Sequence, residues 1–199
     1  MSDQQIDSGK RTWLIASSCA GAVGAVGAAV PFVGSFAPSE RARAAGAAVE
    51  ADISGLKPGQ MMTIEWRGKP VWIVKRTPEQ VAELPKNDAL LADPKSLRKP
   101  DELTPPYARN EARSIKPEIL VVVGICTHLG CSPVDKFVGG PQASLPDNWP
   151  GGFLCPCHGS TFDMAARVYK DKPAPDNLEV PPHMYLSDSR ILIGEDKKA

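Results

Sequence analysis

The sequence predicts an all-β soluble head carried on one N-terminal transmembrane helix. Three observations predict it. An uncharged stretch runs from Thr12 to Ser39, directly after Lys10-Arg11. The 199 residues include 20 Pro and 17 Gly but are only 6% aromatic, a composition of turns and short strands rather than of a helical bundle. The patterned segments of the C-terminal three-quarters are short apolar or alternating runs of strand length. The chain is long enough for one anchor and one domain with its own core. Its formal net charge is zero, with no basic block, which removes the electrostatic basis for nucleic-acid binding.

Residues 13–33 span about 31 Å as a helix, against about 30 Å for the hydrocarbon core of a bilayer. A cleaved secretory signal is the alternative, but its apolar region runs only about 7–15 residues. The length favours a retained anchor over residues 12–37, with residues 1–11 on the cytoplasmic side. Gly9-Lys10-Arg11-Thr12-Trp13-Leu14 also resembles a twin-arginine export signal with Lys in the first basic position. Cys19, inside the span, reads as a small apolar packing residue. Residues 38–50 carry Ala, Gly and charges without an apolar face wide enough to dock, and are expected to form a flexible tether. The head then occupies residues 51–199.

Within the head, Met61 to Arg67 alternates, with Met62, Ile64 and Trp66 on one face. Gly68-Lys69-Pro70 turns the chain, and Val71 to Val74 answers as the second strand of a hairpin. Thr77 as N-cap and Pro78 at the first helical position open a short helix to Leu84. The polar, proline-rich stretch from there to Pro117 is an excursion from the sheet. Ile119 to Ile125 is a continuous apolar run, the pattern of a strand buried on both faces. His183 to Leu186 and Arg190 to Ile193 form a last hairpin turning at Ser187-Asp188-Ser189, with His183 a structural histidine. The charged tail from Glu195 to Ala199 is expected to fray.

The strand at Ile119 delivers the chain into Cys126-Thr127-His128-Leu129-Gly130-Cys131. A second box, Cys155-Pro156-Cys157-His158-Gly159-Ser160, follows. Each box offers one Cys and one His at metal-ligand spacing, and each carries one further Cys. Tetrahedral zinc accepts Cys2His2 sets, but zinc fingers keep their Cys pair and their His pair on separate elements. Mixing one Cys with one His in each box also suits a [2Fe-2S] cluster with two Cys on one iron and two His on the other.

Cys-x-His, 26 intervening residues from Leu129 to Leu154, then Cys-x-x-His, with Cys131 and Cys157 in addition, resembles the Rieske family in its respiratory and photosynthetic form. The resemblance extends over the whole chain. It implies a Rieske-type antiparallel β sandwich with a small cluster-binding subdomain, over residues 124–176, and one [2Fe-2S] cluster. It implies that Cys126 and Cys155 bind the inner iron and that His128 and His158 bind the outer iron at an exposed, quinol-facing tip. It implies a disulfide between Cys131 and Cys157, and that Gly130 and Gly159 allow tight turns beside the cluster. Ser160 matches the family serine that donates to a cluster sulfide. Phe162 stands where many high-potential members carry Tyr. Lys172-Pro173-Ala174-Pro175 resembles the family's Gly-Pro-Ala-Pro loop, with Lys for Gly. Leu129 completes the set expected around the cluster.

The function so implied is that of the iron–sulfur subunit of a quinol–cytochrome c reductase. Such a subunit oxidises ubiquinol at a cytochrome b subunit and passes one electron to a cytochrome c-type subunit. The expected setting is a dimeric complex in a bacterial inner membrane, with the head in the periplasm. The small Rieske subunit of another exported oxidoreductase, of arsenite-oxidase type, is the alternative. A soluble ferredoxin conflicts with the uncharged span and with the extra cysteines.

Overall fold

A computed structural model describes residues 7–40, 42 and 46–196. Residues 1–6 of the expected cytoplasmic segment, 41 and 43–45 of the expected tether and 197–199 of the tail lie outside the described residues. The chain divides into two units, Met1–Ala44 and Ala45–Ala199.

The first unit contains helix α1, Ser8–Gly34. It starts four residues before the expected Thr12 because the Asp7 carboxylate caps it, accepting from the amides of Gly9 and Lys10 at 3.1 and 3.2 Å. Its 27 residues make it long and apolar enough to cross a membrane. None of its side chains is buried within the chain, so Trp13, Leu14, Val23, Val26 and Phe32 all face outward. A helix of this length and apolar composition suits lipid as its surroundings.

Among its described residues the second unit holds nine strands: β1 (Val49–Asp52), β2 (Gln60–Trp66), β3 (Lys69–Lys75), β4 (Ile119–Val123), β5 (Val134–Lys136), β6 (Gly152–Cys155), β7 (Ser160–Asp163), β8 (His183–Ser187) and β9 (Arg190–Ile193). They form three antiparallel three-stranded sheets, ordered β1-β9-β8, β2-β3-β4 and β5-β6-β7. The β2–β3 hairpin appears as expected, but its turn is Arg67-Gly68 rather than Gly68-Lys69-Pro70. Both turn residues have positive φ, 52° and 71°, as a two-residue type I′ connection requires. Pro70 therefore lies within β3, opposite Glu65. The capped helix also appears, as α2 (Pro78–Glu83), with a reciprocal capping box between Thr77 and Gln80. A short helix α3 (Pro100–Leu103) interrupts the excursion. In the last hairpin Ser187 belongs to β8, where it pairs with Arg190. β1 was not expected: its first two residues fall in the segment read as tether, yet Val49 and Glu50 pair with Ile193 and Leu192.

The β2-β3-β4 sheet is central and is covered on both faces. Val71, Ile73, Ile119, Val121 and Val123 point into one core with Ala51, Trp66, Ile191 and Ile193, which fastens this sheet to β1-β9-β8 as a sandwich. Trp72, Val74, Leu120 and Val122 point the other way, into a core shared with Phe153, Phe162, Val168, Leu178 and Val180. All five residues of β4 are buried, which explains its unbroken apolar run. Each fully buried aliphatic side chain contributes about 2 kcal/mol of transfer free energy.

The joint between the central sheet and the β5-β6-β7 sheet is aromatic. Trp72 of β3 stacks on Phe153 of β6, with centroids 5.2 Å apart and planes 13° from parallel. Gly124, just past β4, leaves the room for the indole: a Cβ there would lie 2.2 Å from the Trp72 ring. We predict that Gly124→Ala forces the indole off Phe153 and destabilises the head by about 3 kcal/mol, as overpacking in a dense core does. Chemical denaturation followed by tryptophan fluorescence checks it, and a loss under about 0.5 kcal/mol would contradict it.

Candidate metal centre

Two loops meet at one end of the second unit. The first follows β4, whose end carries Gly124 and Ile125 into Cys126. The second is the connection between β6 and β7, so Cys155 ends one strand and Ser160 begins the next, paired with each other across the hairpin. The loops share one backbone design. The Cys126 carbonyl accepts from the Gly130 amide at 3.1 Å, and the Cys155 carbonyl accepts from the Gly159 amide at 2.9 Å. Each turn closes through a left-handed glycine, φ 81° at Gly130 and 74° at Gly159. A Cβ at either would meet no heavy atom of the chain within 4 Å, so backbone conformation rather than crowding requires glycine here. The Cys126 amide also donates to the Cys131 carbonyl at 2.8 Å, closing the first box on itself.

The cysteines divide into two kinds. Cys131 and Cys157 form a disulfide across the loops, with Cα atoms 6.7 Å apart, as expected. Cys126 and Cys155 are free and buried. Burial pushes the Cys126 thiol up, the His128 amide opposes this, the adjoining Cys155 side chain adds to it, and the Ser160 hydroxyl opposes it. The sulfurs of Cys131, Cys155 and Cys157 lie within 4.8 Å of one another. Two of these are consumed by the disulfide, so that trio is not a ligand set. It shows instead how closely the covalent clamp sits against Cys155.

The histidines meet at the outer end. The His128 and His158 rings stand edge to face, centroids 4.7 Å apart and planes at 88°. His128 is half-buried and His158 is exposed. Leu129 beside them is 72% exposed. The arrangement is two buried thiols inside and two accessible imidazoles outside. The raised Cys126 thiol resists ionisation on its own, and a bound metal cation would supply the charge that favours thiolate ligands. The donor set therefore fits a [2Fe-2S] group bound by two sulfurs and two imidazoles.

The residues expected around the centre are also gathered here. Ser160 is buried, and its hydroxyl accepts from the Ala174 amide at 2.9 Å, so it joins the second box to the proline loop. Phe162 is fully buried in the core that contains Cys126 and Cys155. Ala174 is buried between exposed Pro173 and Pro175. The loop's left-handed residue is Asp171, φ 56°, and not Lys172, so the Lys172 side chain is accommodated without strain.

Sequence reasoning missed Thr127, whose hydroxyl donates to the Asp176 carbonyl at 2.6 Å and ties the first box to the proline loop. It also missed three fully buried arginines, Arg76, Arg113 and Arg167. Arg76 donates to the Met164 carbonyl and Arg113 to those of Ala165 and Ala166, each at 3.1 Å. Arg167 grips buried Asp163 through two nitrogens at 2.9 and 2.7 Å. Burial lowers Arg76 and Arg113 to about 10, against the pull of Asp163, so both remain cationic at neutral pH. No spacing rule in the sequence marks these contacts.

Comparison with known proteins agrees with this geometry. Residues 47–182 match the Rieske [2Fe-2S] domain family. The chain is 57% identical over 198 residues to the ubiquinol-cytochrome c reductase iron-sulfur subunit of Allochromatium vinosum, covering 99% of this chain and 94% of that one. It is 40% identical over 189 residues to the subunit of the same name from Rhodospirillum rubrum, covering 94% and 93%. A chain of a hyperthermophilic respiratory Complex III aligns over 89% of this chain and 97% of its own, at 27% identity and a TM-score of 0.45. With the Allochromatium and Rhodospirillum relatives, the quinol–cytochrome c reductase reading is favoured over the arsenite-oxidase-type one. The chain belongs to the Rieske [2Fe-2S] family, among the ubiquinol–cytochrome c reductase iron–sulfur subunits.

Proposed function

We infer that this chain is the electron-transfer subunit of a ubiquinol–cytochrome c reductase, taking one electron from quinol at a cytochrome b subunit and passing it to a cytochrome c-type subunit. The observation that carries the reading is the pairing of buried, free Cys126 and Cys155 with the accessible, edge-to-face His128 and His158. Cys126 and Cys155 would hold the inner iron, and His128 and His158 would hold the outer one. When bound, the [2Fe-2S] cluster supplies one-electron redox chemistry at about −150 to +300 mV, above plant-type ferredoxins, because neutral imidazoles replace two anionic thiolates. Each histidine keeps one ring nitrogen free of iron. At the tip, that nitrogen accepts the hydrogen bond of a quinol hydroxyl and then its proton. Proton release thereby accompanies electron transfer and feeds the proton-motive force. Exposed Leu129 offers the apolar rim that a quinone pocket packs against.

The rest of the chain serves delivery. Residues 1–11 lie in the cytoplasm, residues 12–37 anchor the subunit in a bacterial inner membrane, and the head, residues 51–199, works in the periplasm, with 124–176 as the cluster-binding subdomain. Lys10 and Arg11 at the start of α1 support that orientation. Residues 38–50 tether the head, and the part before β1 swings it between the two partner subunits of a dimeric complex. The decisive test is isolation of the tagged full chain from native membranes. Haem b and haem c spectra together with quinol-dependent cytochrome c reduction support the assignment; recovery with a molybdenum oxidoreductase and no cytochrome b would overturn it.

Three expected outcomes follow from the centre. The midpoint potential falls as pH rises through the histidine titration, by about 59 mV per pH unit for each proton coupled to one electron. A flat profile from pH 6 to 10 would contradict histidine-linked proton transfer. Phe162→Tyr raises the potential by adding a hydroxyl donor beside the ligand cysteines, and voltammetry at fixed pH reads the shift. The double replacement Cys131→Ala with Cys157→Ala lowers stability by about 3.5 kcal/mol in the chain-entropy account of a clamp between residues 26 apart, measurable by denaturant titration.

A further inference from the structure

The excursion between β3 and β4 contains a segment that does not join any sheet, Asp93 to Lys99. It is wound tightly on itself. The buried Asp93 carboxylate accepts from the amides of Leu97 and Arg98, both at 2.9 Å. Two of its residues, Ser96 and Lys99, adopt left-handed φ of 52° and 44°, a conformation that side-chain-bearing residues visit rarely. Such a backbone persists where surrounding contacts over-determine it.

Those contacts converge on one place. The Arg98 guanidinium donates to the Pro175 carbonyl at 2.8 Å. The Lys99 ammonium meets the largely buried Asp176 carboxylate at 2.9 Å. The buried Asn177 amide donates to the Asp93 carbonyl at 2.9 Å and to the Ser96 hydroxyl at 3.1 Å. The same Asn177 accepts from the Val168 amide at 2.8 Å, behind the second box. From the other side, Asp176 offers its carbonyl to Thr127, the residue between Cys126 and His128.

We propose that Asp93–Lys99 is a strap that positions the metal centre, with Arg98 and Lys99 holding the proline loop shut over it and, through Asp176 and Thr127, setting how His128 is presented at the tip. Arg98 and Lys99 are positioning residues; neither touches the centre. The proline loop is short of its own restraints: Pro173 and Pro175 have no amide to donate, and the Ala174 amide is already committed to Ser160. An outside grip is what such a loop needs to stay closed while the head docks on and leaves its partners. Because Lys99 is half exposed, the grip weakens with ionic strength.

The proposal rests on the assignment of the ligands to Cys126, His128, Cys155 and His158, and its test can fail separately from that assignment. The test uses the full chain with its iron–sulfur centre in place, as the parent, as Arg98→Met/Lys99→Met, and with the conservative Lys99→Arg. Both altered positions lie on the surface, so folding is retained. Hydrogen exchange of the amides of residues 174 and 176–178 is expected to rise at least fivefold in the double variant, with β2, β3 and β4 unchanged. The EPR spectrum and the midpoint potential are expected to shift, Lys99→Arg to restore both, and 1 M salt to reproduce part of the effect in the parent. Exchange within twofold of the parent, or an equal rise throughout the central sheet, would overturn the strap. A parent chain lacking a Rieske-type EPR spectrum would instead overturn the ligand assignment.

Discussion

The metal centre depends on one packing contact, the stack of Trp72 on Phe153. The two Cys-His boxes come from different sheets: one follows β4 of the central sheet and the other closes the β6–β7 hairpin. Their separation is therefore set by how those sheets sit against each other. The indole is held between Phe153 and the space left by Gly124, two residues before Cys126, while Phe153 lies two residues before Cys155. One aromatic pair thus fixes the approach of both buried free cysteines, Cys126 and Cys155, from the core side. Dense packing of this kind has few alternative arrangements, which suits a site whose ligands must meet within a few tenths of an ångström.

The chain behind the second box raises a different problem. From Met164 to Ala166 it lies in no strand, although it is wholly buried. Buried carbonyls without partners are costly. Two guanidiniums, from Arg76 and Arg113, take the place of a neighbouring strand and satisfy the carbonyls of Met164, Ala165 and Ala166. Asp163 supplies the opposing charge and accepts from the amides of Ala165 and Arg167 as well as from the Arg167 guanidinium. Arginine suits this role better than lysine because its planar fork reaches several carbonyls at once and remains charged when buried.

What the sequence disclosed and what it concealed divide along the same line. The boxes, the unbroken β4 run, the Thr77 cap and the alternation through Met62, Ile64 and Trp66 are local signals, each contained in a few consecutive residues. They predicted the site, its delivering strand and the first hairpin. β1 escaped because four residues, Val49–Asp52, carry too little pattern and become a strand only by pairing with β9 about 140 residues later. The hairpin turn was placed one residue late because Gly68-Lys69-Pro70 is a strong turn signal, whereas the type I′ geometry asks Arg67 to adopt positive φ. The buried arginines carry no local signal, since burial of a guanidinium is decided by carbonyls distant in sequence. Thr127 was hidden for the same reason: its partner at Asp176 lies 49 residues away.

The disulfide holds the two boxes in a different way from the aromatic stack, and the difference is physical. Toward the core the boxes rest on buried apolar side chains. Toward solvent they do not, since Pro156, His158 and Leu129 there are exposed. Burial therefore cannot hold the loops together on that side. A covalent bond can: it joins the two loops directly, from Cys131, which packs against the core, to exposed Cys157. The proline loop faces the same demand and answers it with hydrogen bonds, to Ser160, to Thr127 and to the segment from Asp93 to Lys99. The centre is held by packing where it is buried, by a covalent bond where it is exposed, and by polar contacts at the border between the two.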